Sequence, residues 1–265
     1  MFFGMPARIV NKDGKAVHGT LGFVGALLKI IRMVKPTHIA AIFDGEHENA
    51  RREVDPDYKA NRINYSEVCE KENPFSQLSD IHSALDCLSV RHTEASDCEA
   101  DDIIAGYALL YGKKSEVIIS SFDSDFFQLI SEKVTVLRYR GEKTVFCTPE
   151  YISYKFGITP AQYADFKSLI GDKADNIKGA EKIGPKTAAY LLGKFGTLER
   201  ILANAEKIEK PSVRESIIRN SARLRNNYKI IKLGNGARLP FGMRELLYRD
   251  SSLTTTEVLK KIGLR

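Results

Sequence analysis

Apolar residues recur at helical spacing from Leu21 to Val34, at Leu21, Val24, Leu28 and Ile31, and the pattern stops before Pro36. The short run His38-Ile39-Ala40-Ala41-Ile42-Phe43 predicts a buried parallel strand. Residues 46–75 are charged and polar and predict a mobile connection or arch. Helices are predicted over Gln77 to Leu88 and over Cys98 to Tyr111, the second capped by Ser96 or Asp97. Val117-Ile118-Ile119-Ser120-Ser121 reads as a second buried strand, and Val134 to Tyr139 and Lys143 to Phe146 as two more. After Thr148-Pro149 the pattern is helical nearly to the end, broken by a Gly-containing stretch at 179–184. Strand and helix thus alternate over residues 1–150, as in an α/β sheet, and an all-helical module follows over 151–265.

The chain has 265 residues, of which 43% are hydrophobic and 28% charged, which suits a globular protein and not a disordered or fibrous one. No apolar run approaches the ~20 residues that span a bilayer, so no membrane partner is expected. The N-terminus lacks the pattern of a signal peptide. The cysteines, Cys69, Cys87, Cys98 and Cys147, have no metal-like spacing and read as reduced thiols of a cytosolic protein. The net charge of +6 hides a division. Residues 1–177 carry 21 Lys and Arg against 26 Asp and Glu, and residues 178–265 carry 19 against 8. An acidic body followed by a basic module points to a polyanionic partner, nucleic acid above all, although a solvated basic surface has the same composition.

The first two of these strands run into aspartates, Phe43-Asp44 and Phe122-Asp123 with Asp125 beyond. In open parallel sheets ligands bind at the carboxyl ends of the strands. Glu99-Ala100-Asp101-Asp102 opens a helix, and Asp172 and Asp175 lie in an Asp-rich loop. Each group alone has an ordinary reading as a turn, a cap or a first-turn acid. Together they form an oxygen-only donor set without histidine or cysteine, which favours Mg²⁺ or Mn²⁺ over Zn²⁺. So many like charges share a pocket only if cations neutralise them. Two ions are the usual device for displacement at phosphate.

The ordered motifs Phe43-Asp44, Glu99-Ala100-Asp101-Asp102, Asp123-Ser124-Asp125-Phe126-Phe127-Gln128-Leu129 and Gly171-Asp172-Lys173-Ala174-Asp175-Asn176-Ile177 resemble those of the 5′ nuclease family, which includes the 5′→3′ exonuclease domain of bacterial DNA polymerase I and the flap endonucleases. The resemblance implies a PIN-like, mostly parallel sheet flanked by helices, followed by a helix–hairpin–helix-type DNA-binding module. It implies metal ligation by Asp44, Glu99, Asp101, Asp102, Asp123, Asp125, Asp172 and Asp175. It implies an arch in which Lys59 and Arg62 steer the scissile phosphate, with Arg51, Arg52 and Tyr58 beside them on the DNA. From composition alone that segment reads as a solvated loop. Ile183-Gly184-Pro185-Lys186-Thr187-Ala188 resembles the family's hairpin turn, so Lys182, Gly184, Lys186 and Thr187 are expected on a duplex phosphate, with K⁺ held at the turn.

Two departures qualify the resemblance. The family's first strand, with its Leu-Val-Asp-Gly, has no counterpart, and Asp13 is a poor substitute; the chain is expected to lack that strand and its carboxylate. Lys182 replaces the first glycine of the turn and would be strained if the backbone there needs a positive φ. The function implied is a 5′→3′ exodeoxyribonuclease or flap endonuclease using two metal ions on DNA with 5′ ends or flaps, in a bacterial cytoplasm at the nucleoid, in association with a DNA polymerase. The competing readings are a structure-specific DNA-binding protein with a crippled active site and a PIN-like ribonuclease.

Overall fold

The computed structural model describes residues 9–45, 51–62, 68, 73–234 and 236–264. In chain order the elements are α1 (His18–Val34), β1 (Ala40–Phe43), α2 (Arg51–Val54), α3 (Leu78–Cys87), β2 (Arg91–Glu94), α4 (Ala100–Tyr111), β3 (Val117–Ser120), β4 (Val134–Arg138), β5 (Val145–Cys147), α5 (Pro149–Phe156), α6 (Tyr163–Ile170), β6 (Gly171–Asp172), β7 (Ile177–Lys178), α7 (Pro185–Phe195), α8 (Leu198–Ala203), α9 (Pro211–Arg219), α10 (Ser221–Ile231) and α11 (Thr255–Lys261). Contacts group them into two compact units. The first takes the described residues up to Asp44, those between 63 and 94, and those from Leu239 onward; the second takes the described residues of 45–62 and 95–238.

In the first unit, α1 buries Val24, Leu28 and Ile31 in one cluster with Ala84 and Leu85 of α3 and Val258 of α11. The helix ends at Lys35, which takes the left-handed conformation ahead of Pro36. β1 runs parallel to β2, with Ala40 opposite Arg91. β2 is not visible in the hydrophobic pattern, because Arg91-His92-Thr93-Glu94 carries no apolar side chain. The chain returns to this unit near its C-terminus, where Tyr248 N–H donates to Thr37 and Ile39 N–H to Leu246.

In the second unit, β3 pairs parallel with β4, and β5 lies antiparallel on β4. Their buried residues Ile119, Val134 and Val136 belong to the same core as Phe126, Phe127, Phe166, Leu169, Leu191, Leu192 and Ile201. Edge-on aromatic contacts join Phe127, Phe156, Tyr163 and Phe166 within it. One apolar core therefore spans position 150, where the hydrophobic pattern changes from mixed to helical. The contacts also take residues 239–264 away from the helices that precede them.

Several local expectations are corrected. The helix expected from Cys98 begins at Ala100, and neither Ser96 nor Asp97 caps it; Glu99 stands at the N-cap, its side chain engaged elsewhere. Residues 171–178 form a small antiparallel hairpin, β6–β7, inside a region expected to be helical. The described residues between Lys232 and Thr254 contain no helix, so the helical pattern does not run on to the end. The expected arch over 46–75 is described only at 51–62, 68 and 73–75, where α2, a run of turns and the start of a 3-10 helix are found. No helix among the described residues is long and apolar enough to cross a membrane. Cys87, Cys98 and Cys147 are free thiols, and Cys69 lies outside the described residues.

Candidate functional site

The site is built in the second unit from the start of α4, the turn after β3, the β6–β7 hairpin and the segment 51–62. Glu99 precedes α4 and Asp102 sits in its first turn, where the helix dipole favours acids. Both face basic side chains. Arg51 of α2 donates to Glu99 and, at 2.8 Å, to Oδ1 of Asp102, while its Nε donates to the carbonyl of Ile230 at 2.9 Å. Lys59 donates to Glu99, and the Tyr58 hydroxyl donates to the same carboxylate at 3.2 Å. Tyr58 is buried. Burial works against the charge of Arg51, but Glu99 and Asp102 outweigh it and the guanidinium pKa is raised. Burial and then Glu99 push the Tyr58 phenol up as well, so it remains a hydrogen-bond donor.

The segment 51–62 is also stitched to the hairpin. Lys59 N–H donates to the carbonyl of Asp175 at 3.0 Å, Asn176 Nδ2 to the carbonyl of Asp57 at 2.8 Å, and Arg62 to Oδ1 of Asp175 at 2.8 Å. Composition alone suggests a solvated loop here. Arg51 and Lys59 side chains are only 13% exposed, and the carboxylates they meet account for the difference.

Asp123 follows β3 and caps the next turn by accepting the N–H of Asp125 at 2.8 Å. Asp125 begins a 3-10 helix over Asp125–Leu129. On the hairpin, Asp172 accepts the N–H of Ala174 at 2.9 Å. Among the described residues, Asp125, Asp172 and Asp175 bring carboxylate oxygens within 4.8 Å of one another. Lys167 of α6 donates to both Asp125 and Asp172 and is almost completely buried. Burial lifts the Asp125 carboxyl to about 6, against the opposing pull of Lys167. Burial also acts on Asp172, but there the lysine prevails and the carboxyl is held below its ordinary value. The ammonium of Lys167 stays charged because the two carboxylates more than offset its own burial.

The donors are carboxylate oxygens only, and five carboxylates (Glu99, Asp102, Asp125, Asp172, Asp175) share four cationic side chains (Arg51, Lys59, Arg62, Lys167). The acid excess and the hard donor set fit a divalent cation. Asp101 is half-buried on α4, and Asp44 follows β1 in the first unit; neither belongs to the close cluster.

Lys167 is a site residue that sequence reasoning missed. The sequence carries no signal for it: only the fold shows that every residue from Tyr163 to Leu169 on α6 is buried, so that a lysine there must meet a buried acid. Gln128 and Asn227 were missed too. Asn227 Nδ2 donates to the carbonyls of Ser168 at 3.0 Å and Lys178 at 2.9 Å, fixing β7 against α6.

At the hairpin turn, Lys182 has φ 62, the left-handed conformation in which a glycine is favoured. Gly184 is the N-cap residue of α7, with Pro185 at its first position. Lys182, Gly184 and Lys186 are exposed and Thr187 half-buried. Glu181 ties the turn to α9 and α10: its carbonyl accepts Ser216 Oγ at 2.6 Å and its carboxylate accepts Asn220 Nδ2 at 2.9 Å.

Residues 1–157 match the 5′-3′ exonuclease N-terminal resolvase-like domain, and residues 158–253 match the 5′-3′ exonuclease C-terminal SAM fold. A 5′-3′ exonuclease of Aquifex aeolicus is 33% identical over 88% of this chain and 76% of its own length. DNA polymerase I of Streptococcus pneumoniae is 32% identical over 91% of this chain but only 27% of its own length, so the chain spans about a quarter of that relative. In fold, the chain is similar to the bacteriophage T5 D15 flap endonuclease, solved as a pseudo-enzyme–product complex with DNA and metal ions, at a TM-score of 0.69 and 21% identity over 79% of each chain.

Proposed function

This chain belongs to the 5′-3′ exonuclease family, and on that premise we propose that it is a metal-dependent 5′→3′ exodeoxyribonuclease and flap endonuclease. The observation that carries the proposal is the approach of carboxylate oxygens of Asp125, Asp172 and Asp175 to within 4.8 Å of one another, with Glu99 and Asp102 bonded to the same basic segment as Asp175. Asp44, Glu99, Asp101, Asp102, Asp123, Asp125, Asp172 and Asp175 are the carboxylates available to hold Mg²⁺ or Mn²⁺. Two such ions, when bound, supply activation of the attacking water and stabilisation of the leaving oxygen. Lys59 and Arg62 steer the scissile phosphate, with Arg51, Arg52 and Tyr58 along the single strand. Lys182, Gly184, Lys186 and Thr187 hold a phosphate of the duplex, with K⁺ at the turn, where the exposed start of α7 supports the reading.

The nuclease portion corresponds to 1–150 and the DNA-holding portion to 151–265, whose 178–265 stretch carries most of the positive excess. The T5 relative's complex with DNA and metal ions supports the substrate class. The likeness to DNA polymerase I supports a role beside a polymerase in replication and repair, in the bacterial cytoplasm at the nucleoid.

The test is cleavage of a 5′-flap substrate by the full chain. Asp102→Asn and Asp123→Asn should each abolish Mg²⁺-dependent cleavage while leaving DNA binding largely intact. Equal cleavage in Mg²⁺ and EDTA would reject the metal mechanism. Flap binding without turnover by the unaltered chain would favour the structure-specific DNA-binding reading instead.

A further inference from the structure

We propose that the groove between α7 and the start of α9 is a docking site for an acidic peptide segment of another protein, one that carries a large apolar side chain among its carboxylates. The groove lies within the second unit and uses none of the carboxylates of the candidate metal site.

Its volume is about 380 Å³, the size of an ordinary ligand pocket. One wall is a single face of α7, on which Lys186, Tyr190 and Lys194 recur every four residues. The other wall runs from Ile208 into the first turn of α9. The base is apolar, because Leu191, Ile208 and Val213 are only 1%, 4% and 3% exposed. Tyr190 lines the same groove and is 58% exposed. A large ring left in water beside an apolar surface gains contact area when a ligand side chain covers both.

Charge selects the occupant. Lys186, Lys194 and Lys210 line the groove against one acid, Glu209. Glu209 accepts from Lys194 at 2.7 Å, joining the two walls, and the two side chains are 81% and 37% exposed. So exposed an ion pair contributes little to stability, and a carboxylate from outside can take the place of Glu209. The Lys194 ammonium also lies 6.0 Å from the centre of the Tyr190 ring and 5.8 Å from that of Phe195. A carboxylate paired with Lys194 therefore brings its neighbouring side chain against aromatic surface. Lys186 and Thr187, in the first turn of α7, are assigned above to a duplex phosphate, so the peptide is placed at the Lys194 and Lys210 end. A phosphate chain would gain from these lysines but nothing from Leu191, Ile208 and Val213, which is why a peptide is the better fit.

The test is fluorescence anisotropy with the full chain and the fluorescein-labelled peptide Asp-Glu-Asp-Leu-Phe-Asp. Saturable binding is expected, weakened about tenfold by Tyr190→Ala and by Lys210→Glu, both at exposed side chains. Replacing Leu-Phe of the peptide by Gly-Ser should abolish binding. Equal affinity for the two peptides would overturn the proposal, because charge alone would then be read. Failure of the unaltered chain to bind the first peptide would overturn it as well. Displacement of the peptide by oligothymidylate that itself binds Tyr190→Ala more weakly than the unaltered chain would assign the groove to nucleic acid instead.

Discussion

Gln128 Oε1 accepts the backbone N–H of Leu233 at 2.9 Å, joining the turn after β3 to the chain just past α10. The same side chain donates to the carbonyls of Asp125 and Ile231, both at 3.0 Å. Gln128 is buried, so each of these backbone groups relies on it. Gln128→Ala should cost about 3 kcal/mol, because a buried N–H and two carbonyls lose their partner at once. Urea unfolding measures this directly. A loss well under 1 kcal/mol would show that the backbone at 231–233 finds other partners.

The hairpin that carries Asp172 and Asp175 is closed by two glycines. A Cβ on Gly179 would stand 2.3 Å from the carbonyl carbon of Ile170, and one on Gly171 would stand 2.4 Å from the amide nitrogen of Gly179. These are backbone atoms and have little room to yield. Gly179→Ala should destabilise the protein by about 3 kcal/mol and weaken divalent-ion binding, since the hairpin must open to admit the methyl group. Thermal unfolding and Mn²⁺ titration of one preparation check both effects. Full stability in the variant would refute the close approach.

Lys182 holds a backbone conformation with φ 62 that suits glycine. Lys182→Gly should stabilise the fold by about 0.5–1 kcal/mol, the relief of left-handed strain exceeding the added freedom of glycine in the unfolded chain. Lys182→Ala, which keeps a Cβ, should give no such gain. Comparing the two by chemical denaturation separates backbone strain from loss of charge.

Asp125 gives the metal-free protein a defined pH response. Its carboxyl rises to about 6 on folding, chiefly through burial. Between its unfolded value near 4 and about 6, the folded state keeps a proton that the unfolded state releases. Stability from this group is therefore greatest at the acid end and declines as pH rises through that window, by up to ~3 kcal/mol. In EDTA, the stability of the unaltered protein relative to Asp125→Asn should fall from pH 4 to 6 and level off above. A divalent ion needs the ionised form, so its affinity should rise over the same interval. A pH-independent difference between the two proteins would contradict the burial of this carboxyl.

Much of the local architecture is legible in the residue pattern. Leu21 to Ile31 could be read because its apolar face recurs at helical spacing, and Val117 to Ser120 because it is a short apolar run, although Ile118 proves exposed and only Ile119 of that strand is buried. β2 could not, because its four residues are polar and its place is set by pairing with β1. The carboxylates could be named because acids grouped at strand ends and helix starts stand out. Lys167 was hidden, since a lone lysine in a helical pattern reads as a solvent-facing position until its helix is known to have no solvent face.

The sequence by itself determined which carboxylates exist and on which short elements they ride, because hydrogen bonding and side-chain periodicity act within a few residues. The family resemblance placed Lys182 where a glycine is usual, and the structure supplied the left-handed φ there. Only the tertiary structure decided which charges neutralise which: Arg51 and Lys59 on Glu99, Arg62 on Asp175, and Lys167 between Asp125 and Asp172. Those pairings join residues up to 113 positions apart. They follow from burial, which forces each desolvated charge to find a partner wherever the fold brings one within reach.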